Sequence, residues 1–108
     1  MYQIQTTTAD SDIAKALIHP KFSPGQIVAT PGALAAMEEY QCQPLSLLAH
    51  HLVGDWGVLP AEDSQLNDEA LKSDGRLLSS YPLGGDTSIW VITEWDRSVT
   101  TFLLPSEY

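Results

Sequence analysis

Hydrophobic and polar positions alternate most clearly over SIWVITEWDRSVTTFLL, residues 88–104. Ile89, Val91 and Thr93 fall on one side of an extended chain, and Trp90, Ile92 and Glu94 fall on the other. Successive side chains of a strand point to opposite faces, so this is the pattern of a half-buried strand. Trp95-Asp96-Arg97-Ser98 has the composition of a turn, and Val99 to Leu104 is again β-branched and aromatic. The stretch predicts a β-hairpin. A lone hairpin is marginal in water, so its apolar face requires a cover.

Upstream the period becomes helical. Thr30 stands where an N-cap belongs, and Pro31 suits the first helical position. The helix PGALAAMEEY turns Ala33, Leu34, Met37 and Tyr40 inward and Glu38 and Glu39 outward. Pro44 opens a second helix in the same way. Leu45, Leu48, Ala49 and Leu52 recur at helical spacing there, and Gly54 can close it. His50 and His51 fall off that stripe, on opposite sides. Pro60 begins a third helix, with Glu62 and Asp63 in the first turn, where the helix dipole favours acids. Leu66, Ala70 and Leu71 are expected to face inward.

Two further strands are expected. QIVAT, residues 26–30, reads as a short buried strand, and RLLSSY, residues 76–81, as another before a glycine-containing turn. Nearer the start, IAKALIH predicts a short helix capped by Ser11 or Asp12 and ended by Pro20. The expectation is therefore an N-terminal arm, residues 1–21, and one α+β domain, residues 22–108. That domain holds a short N-terminal strand, two to three helices and a three-stranded antiparallel meander packed against them.

Composition adds to this picture mainly through charge. Five Lys or Arg stand against fourteen Asp or Glu, a net charge of −9. Binding to nucleic acid through phosphates needs clustered cations, and the five here are scattered, so direct nucleic-acid binding is not expected. The field of a polyanion favours a basic surface on a protein partner, although acidity also serves solubility alone. Hydrophobic residues make up 44% of the chain, which argues against disorder. One cysteine, Cys42, cannot form an internal disulfide, so a reducing cytoplasm is the expected location. No apolar run approaches the ~20 residues that span a bilayer, and the N-terminus lacks a secretion-signal pattern.

Candidate chemistry lies in three places. HHLVGDWG, residues 50–57, sets a histidine, His51, at a helix end before an acid, Asp55, on a glycine-flanked turn that also carries Trp56. A carboxylate can fix a histidine tautomer, which makes an acid–base pair. The same residues also suit a helix end and a core plug. Adjacent histidines diverge on a helix, so no metal site and no cofactor are expected. The second place is Thr93-Glu94-Trp95-Asp96-Arg97-Ser98 with Thr100 and Thr101, where Arg97 could clamp the turn or bind an anion. The third is Ser79-Ser80-Tyr81, where alternation puts Ser79 and Tyr81 on one face and Ser80 on the other, with Asn67 on the third helix. If these side chains converge, they form a cleft with an acid, a base and a cation.

The segments FSPGQIVATPGALAAMEE, HLVGDWGVLPAEDSQLNDEAL, GRLLSSY and WVITEWDRSVTTFLLPSEY resemble a group of small bacterial proteins of plasmids and integrative elements. These commonly carry labels such as plasmid-related or hypothetical protein, and some carry a type I restriction label. The resemblance covers residues 22–108, and GDWG and TEWDRS are its most specific parts. The group has arginine where His50 stands, so His51 is the family-like histidine. The resemblance implies a mobile-element setting and no particular activity.

Two functions then compete. One is a small acidic accessory protein that binds a protein partner, as an inhibitor or modulator of a host defence or nucleic-acid enzyme; an oligomer is compatible with it. The other is a small metal-independent hydrolase or ribonuclease using His51, Asp55, Glu94 and Arg97. Convergence of His51, Glu94 and Arg97 in one cleft would favour the enzyme. Their dispersal beneath a carboxylate-covered surface would favour the binding protein.

Overall fold

A computed structural model describes residues 19–108 and the backbone of Tyr2–Gln3. The short helix expected near residues 12–19 lies outside the described residues. In chain order the elements are β1 (Tyr2–Gln3), β2 (Gln26–Ala29), α1 (Pro31–Glu39), α2 (Pro44–Leu52), α3 (Ala61–Ser73), β3 (Leu77–Gly84), β4 (Thr87–Thr93) and β5 (Val99–Leu103). A single 3-10 turn, Pro105–Glu107, follows.

The helix starts follow local chemistry. Thr30 accepts a hydrogen bond from the Ala33 amide at 3.1 Å and caps α1, with Pro31 in its first turn. Gln41, at φ 53°, breaks the chain out of α1. Pro44 then begins α2, and Gly54 follows it at φ 82°, in the left-handed region that an L side chain rarely adopts.

The fold is α+β, with a mixed sheet in the order β1-β2-β5-β4-β3. β3, β4 and β5 pair antiparallel in succession. The expected three-stranded meander is thus not the whole sheet. β2 pairs with β5 in parallel, Gln26 opposite Val99 and Ala29 opposite Phe102. Parallel neighbours need a long crossover, which the three helices and two intervening strands supply. The pairing places β5 inside the sheet, so its threonines and Phe102 are covered on two sides.

One face of the sheet meets the helices. Ile89, Val91 and Phe102 are fully buried there, with Ala29, Met37, Leu48 and Leu52 in the same core. The register sets Leu78, Ile92 and Thr101 in a row on the opposite, outer face. Trp90 also lies on that face, with its ring centroid 5.6 Å from that of Tyr108. Among the described residues, no helix is long and apolar enough to cross a membrane.

Three expectations about helix faces are corrected. Tyr40, expected inward, is the C-cap of α1 and is exposed. Leu66 was expected inward but is 61% exposed, whereas Asn67 and Ala70 are buried. α3 lies along the edge of β3 and meets the strand's backbone there, so the position against it goes to a side chain that can hydrogen-bond. His51, expected off the apolar stripe, is fully buried. Hydroxyls on the sheet make that burial affordable.

Candidate functional site

His51, Ser79, Thr93 and Thr100 form one buried chain of hydrogen bonds. His51 Nδ1 lies 2.6 Å from Ser79 Oγ and its Nε2 lies 2.9 Å from Thr93 Oγ1. Thr93 Oγ1 is 2.7 Å from Thr100 Oγ1, and Thr100 donates to the Pro24 carbonyl at 2.7 Å. The carbonyl accepts only, so it sets the direction of every proton before it. Thr100 gives its proton to Pro24 and must receive one from Thr93. Thr93 in turn receives one from Nε2–H. Nδ1 is then the acceptor for the Ser79 hydroxyl, and His51 is neutral with its proton on Nε2.

Every atom in the lane is satisfied without a solvent molecule, and no buried side-chain polar atom among the described residues lacks a partner. Phe22 meets the His51 ring edge-on at 5.2 Å, and Trp56 does so at 5.6 Å. Burial, aided by the charge of Arg97, pulls the His51 pKa down to about 3. Trp56 is itself buried and donates its indole N–H to Asp68 at 3.2 Å.

Arg97 stands at the β4–β5 turn with φ 60°. Its guanidinium donates to the carbonyls of Gly75 at 2.5 Å, Ala70 at 3.0 Å, Glu94 at 3.1 Å and Trp95 at 3.3 Å. Ala70 lies in the last turn of α3 and Gly75 just beyond its cap, where the negative end of the helix attracts a cation. Arg97 therefore ties the hairpin turn to that helix end. It also sits 5.7 Å from the centre of the Phe22 ring. The Glu94 side chain pairs with Arg76 at 3.7 Å. Asp96 accepts from the Ser98 hydroxyl at 2.6 Å and its amide at 3.1 Å, and these bonds hold its carboxyl below the usual range.

Asp55 pairs with the neighbouring histidine. His50 Nδ1 lies 2.9 Å from Asp55 Oδ2, with both side chains at least half exposed. The other carboxylate oxygen accepts from the Gly57 amide at 3.3 Å. Tyr81, buried, donates its hydroxyl to the Asp55 carbonyl at 2.5 Å, and burial pushes its pKa well up. The predicted residues thus divide among separate networks. His51 lies in the interior, Arg97 at a helix end, Glu94 with Arg76, and Asp55 with His50. No bond between their side chains joins His51, Glu94 and Arg97; Arg97 meets Glu94 only through the Glu94 backbone carbonyl. Thr101 sits on the outer face between Ile92 and Val28.

Asn67 has a different task. Its amide nitrogen donates to the Leu78 carbonyl at 2.7 Å, and its oxygen accepts from the Leu78 amide at 3.1 Å. One residue pair further along, Ser80 N–H donates to the Trp56 carbonyl at 2.9 Å and Val58 N–H to the Ser80 carbonyl at 2.8 Å. Together they occupy the open edge of β3, which would otherwise offer free backbone groups to another chain. Replacing Asn67 by Ala is expected to lower stability by about 2 kcal/mol, two hydrogen bonds at about 1 kcal/mol each. The same variant should self-associate as concentration rises. Urea unfolding with light scattering checks both, and a variant as stable and monodisperse as wild type would refute the assignment.

Thr93 and Thr100 stand in the second candidate group and Ser79 in the third, but the sequence does not pair them with His51. Their signal was there: each takes an inward position on a strand, where an apolar residue is the default. Concavities open on the surface. A groove of about 500 Å³ lies between α1 and the 3-10 turn and is lined by Glu39, Asp86, Thr87 and Ser106 among others. A cleft of about 240 Å³ on the outer face is lined by Arg76, Leu78, Trp90, Ile92 and Tyr108. Among the described residues no three His, Cys, Asp or Glu side chains group to hold a metal ion. No protein-family model, curated protein or solved structure matches the chain.

Proposed function

We propose that this chain is a small acidic accessory protein that acts by binding a protein partner. The observation that carries the reading is the fate of the two side chains best suited to chemistry. Both ring nitrogens of His51 are bonded inside the core, and the Arg97 donors are taken by backbone carbonyls. Neither is free to handle a substrate. The surface they leave is acidic: Glu38, Glu39, Asp55, Glu62, Asp63, Asp68, Glu69, Asp74, Asp86, Asp96 and Glu107 are all exposed. Such a field attracts a basic partner and speeds encounter with it. The resemblance to plasmid and integrative-element proteins supports a defence or nucleic-acid enzyme as that partner. Carboxylates displayed in place of phosphates would occupy such an enzyme's basic surface.

The hydrolase reading keeps one support, the exposed His50–Asp55 pair. Asp55 is oriented by the Gly57 amide, and His50 is held by Asp55 through Nδ1. One pair of assays separates the readings. Immobilised wild-type protein is expected to retain a defined protein from bacterial lysate, with capture falling as salt rises. The soluble protein should leave RNA intact. Capture of nothing, together with RNA loss that Asp55→Asn abolishes, would overturn the binding reading in favour of the enzyme.

A further inference from the structure

The groove beside α1 stays open for a reason written in the helix. Gly32, Ala36 and Glu39 stand four and three positions apart, so they share one face of α1. The first has no side chain and the second a single methyl group. About 10 Å of helix therefore presents little bulk before the glutamate. The other walls are Asp86, Thr87 and Ser88, where β4 begins, and Leu104, Pro105 and Ser106, which follow β5. The space between them is about 500 Å³.

Both ends of the groove are pinned. At the start of α1, Glu107 accepts from the Thr30 hydroxyl at 2.5 Å and from the Leu104 amide at 2.9 Å. A Cβ at Gly32 would lie 2.6 Å from that carboxylate, so this close approach requires glycine. At the C-cap of α1, the Tyr40 hydroxyl lies 3.5 Å from Thr87 Oγ1 and joins the helix to β4. A preformed groove loses little ordering entropy when it is filled.

Charge and shape identify the occupant. Glu39 and Asp86 line the groove, and no Lys, Arg or His does. Among the described residues the side-chain ion pairs are His50–Asp55 and Arg76–Glu94, so these two carboxylates have no cation of their own. They stand on different walls, alongside the hydroxyls of Thr87, Ser88 and Ser106, while Ala36, Leu104 and Pro105 supply apolar surface. Apolar surface edged by carboxylates matches a side chain with a hydrocarbon stem and a cationic head. Arginine suits it better than lysine, because a guanidinium fork with five donors serves two carboxylates and neighbouring hydroxyls together. A groove of this length takes about three residues of extended chain.

We propose that this groove binds an extended, arginine-containing segment of a protein partner, with the arginine stem on Ala36, Leu104 and Pro105 and its guanidinium held by Glu39 and Asp86. The proposal rests on the binding reading given above and gives it a surface and a partner chemistry. The probe is the capped peptide Gly-Ala-Arg-Ala-Gly, titrated into isotope-labelled protein in about 0.15 M salt and followed by amide NMR shifts. The same peptide with citrulline for arginine keeps the shape and lacks the charge.

Wild type is expected to show saturating shifts at the amides of Gly32, Ala36, Asp86, Thr87 and Ser106, and the citrulline peptide to bind about tenfold more weakly or less. The double variant Glu39→Gln, Asp86→Asn is expected to weaken arginine-peptide binding by about tenfold or more. Both side chains are exposed, and the amide spectrum away from the groove verifies that the variant is folded. Glu62→Gln, Asp63→Asn on α3 removes the same charge elsewhere and should change affinity less than about threefold. Equal weakening by the α3 variant, equal binding of the citrulline peptide, shifts confined to other surfaces, or no binding at all would overturn the proposal. Repeating the lysate capture with the groove variant separates the two conclusions. A partner retained by that variant leaves the binding reading standing and removes the groove from it; capture of nothing by wild type removes the binding reading itself.

Discussion

Lowering the pH from about 7.5 to about 4.5 is expected to cost the protein roughly 2–3 kcal/mol of stability through His51 alone, at 1.36 kcal/mol per pKa unit. The folded protein holds this pKa down to about 3, against 6.5 for a free imidazole. The unfolded chain therefore takes up the proton first. The contribution of His51 is fully present above about pH 6.5 and is lost progressively as the pH falls towards 3. The lane explains why. A proton on Nδ1 would face the hydroxyl proton of Ser79, and its charge would be buried near the Arg97 guanidinium. The carboxylates of Asp96 and Glu107, held below their usual range by hydrogen bonds, weaken in a lower window. Urea unfolding at about pH 7.5, 6.0 and 4.5 measures the effect. His51→Gln should start less stable and lose much less over the same interval. A wild-type midpoint that stays constant from pH 7.5 to 4.5 would show that the imidazole is not confined as described.

Arg97→Ala is expected to destabilise the protein by about 2–4 kcal/mol, because a charged group that makes several hydrogen bonds is worth more than a neutral one. Removing the guanidinium takes a donor from the Gly75 carbonyl and one from the Ala70 carbonyl, which keeps the Gly75 amide. It also uncovers Phe22 above the His51 lane. Arg97→Lys should recover less than half of the loss, since a single ammonium cannot span carbonyls that a planar fork reaches together. Arg97→Gly should be milder than Arg97→Ala by about 1 kcal/mol, because φ is 60° at this position and glycine accepts it freely. Thermal and urea denaturation of the three variants provides the ranking. Three variants as stable as wild type would release Arg97 from the clamp and return it to the candidates for substrate binding.

The parts of the fold that could be read from the residues are those in which neighbours in sequence decide the outcome. Thr30-Pro31 and Pro44 announce helix starts through capping and a fixed φ, and the β4–β5 hairpin follows from alternation and a polar turn. Partners far apart in sequence decide the rest. Nothing within QIVAT states that it pairs in parallel with Val99 to Phe102. Leu66 and Asn67 exchange expected roles because α3 packs on a strand edge, where backbone groups rather than methyl groups need a partner. His51 is drawn inward because three strand positions supply hydroxyls, and helical spacing within α2 carries no trace of them. Several side chains whose chemical type suits a site serve the architecture instead: Asn67 covers an edge, Arg97 closes a helix and Asp96 shapes a turn.

The parallel seam between β2 and β5 has a consequence for the order in which the molecule assembles during synthesis. The Thr100 hydroxyl reaches a carbonyl 76 positions earlier, and Glu107 reaches back 77 positions to Thr30. During synthesis β2 must therefore wait until Val99 to Leu103 have emerged before it finds its parallel neighbour. Until then α1 and α2 have no completed sheet on which to settle, and their leucines stay wet. Contacts this distant along the chain slow folding, so the nascent protein is expected to pass through a long-lived, chaperone-accessible state that the finished molecule gives no hint of.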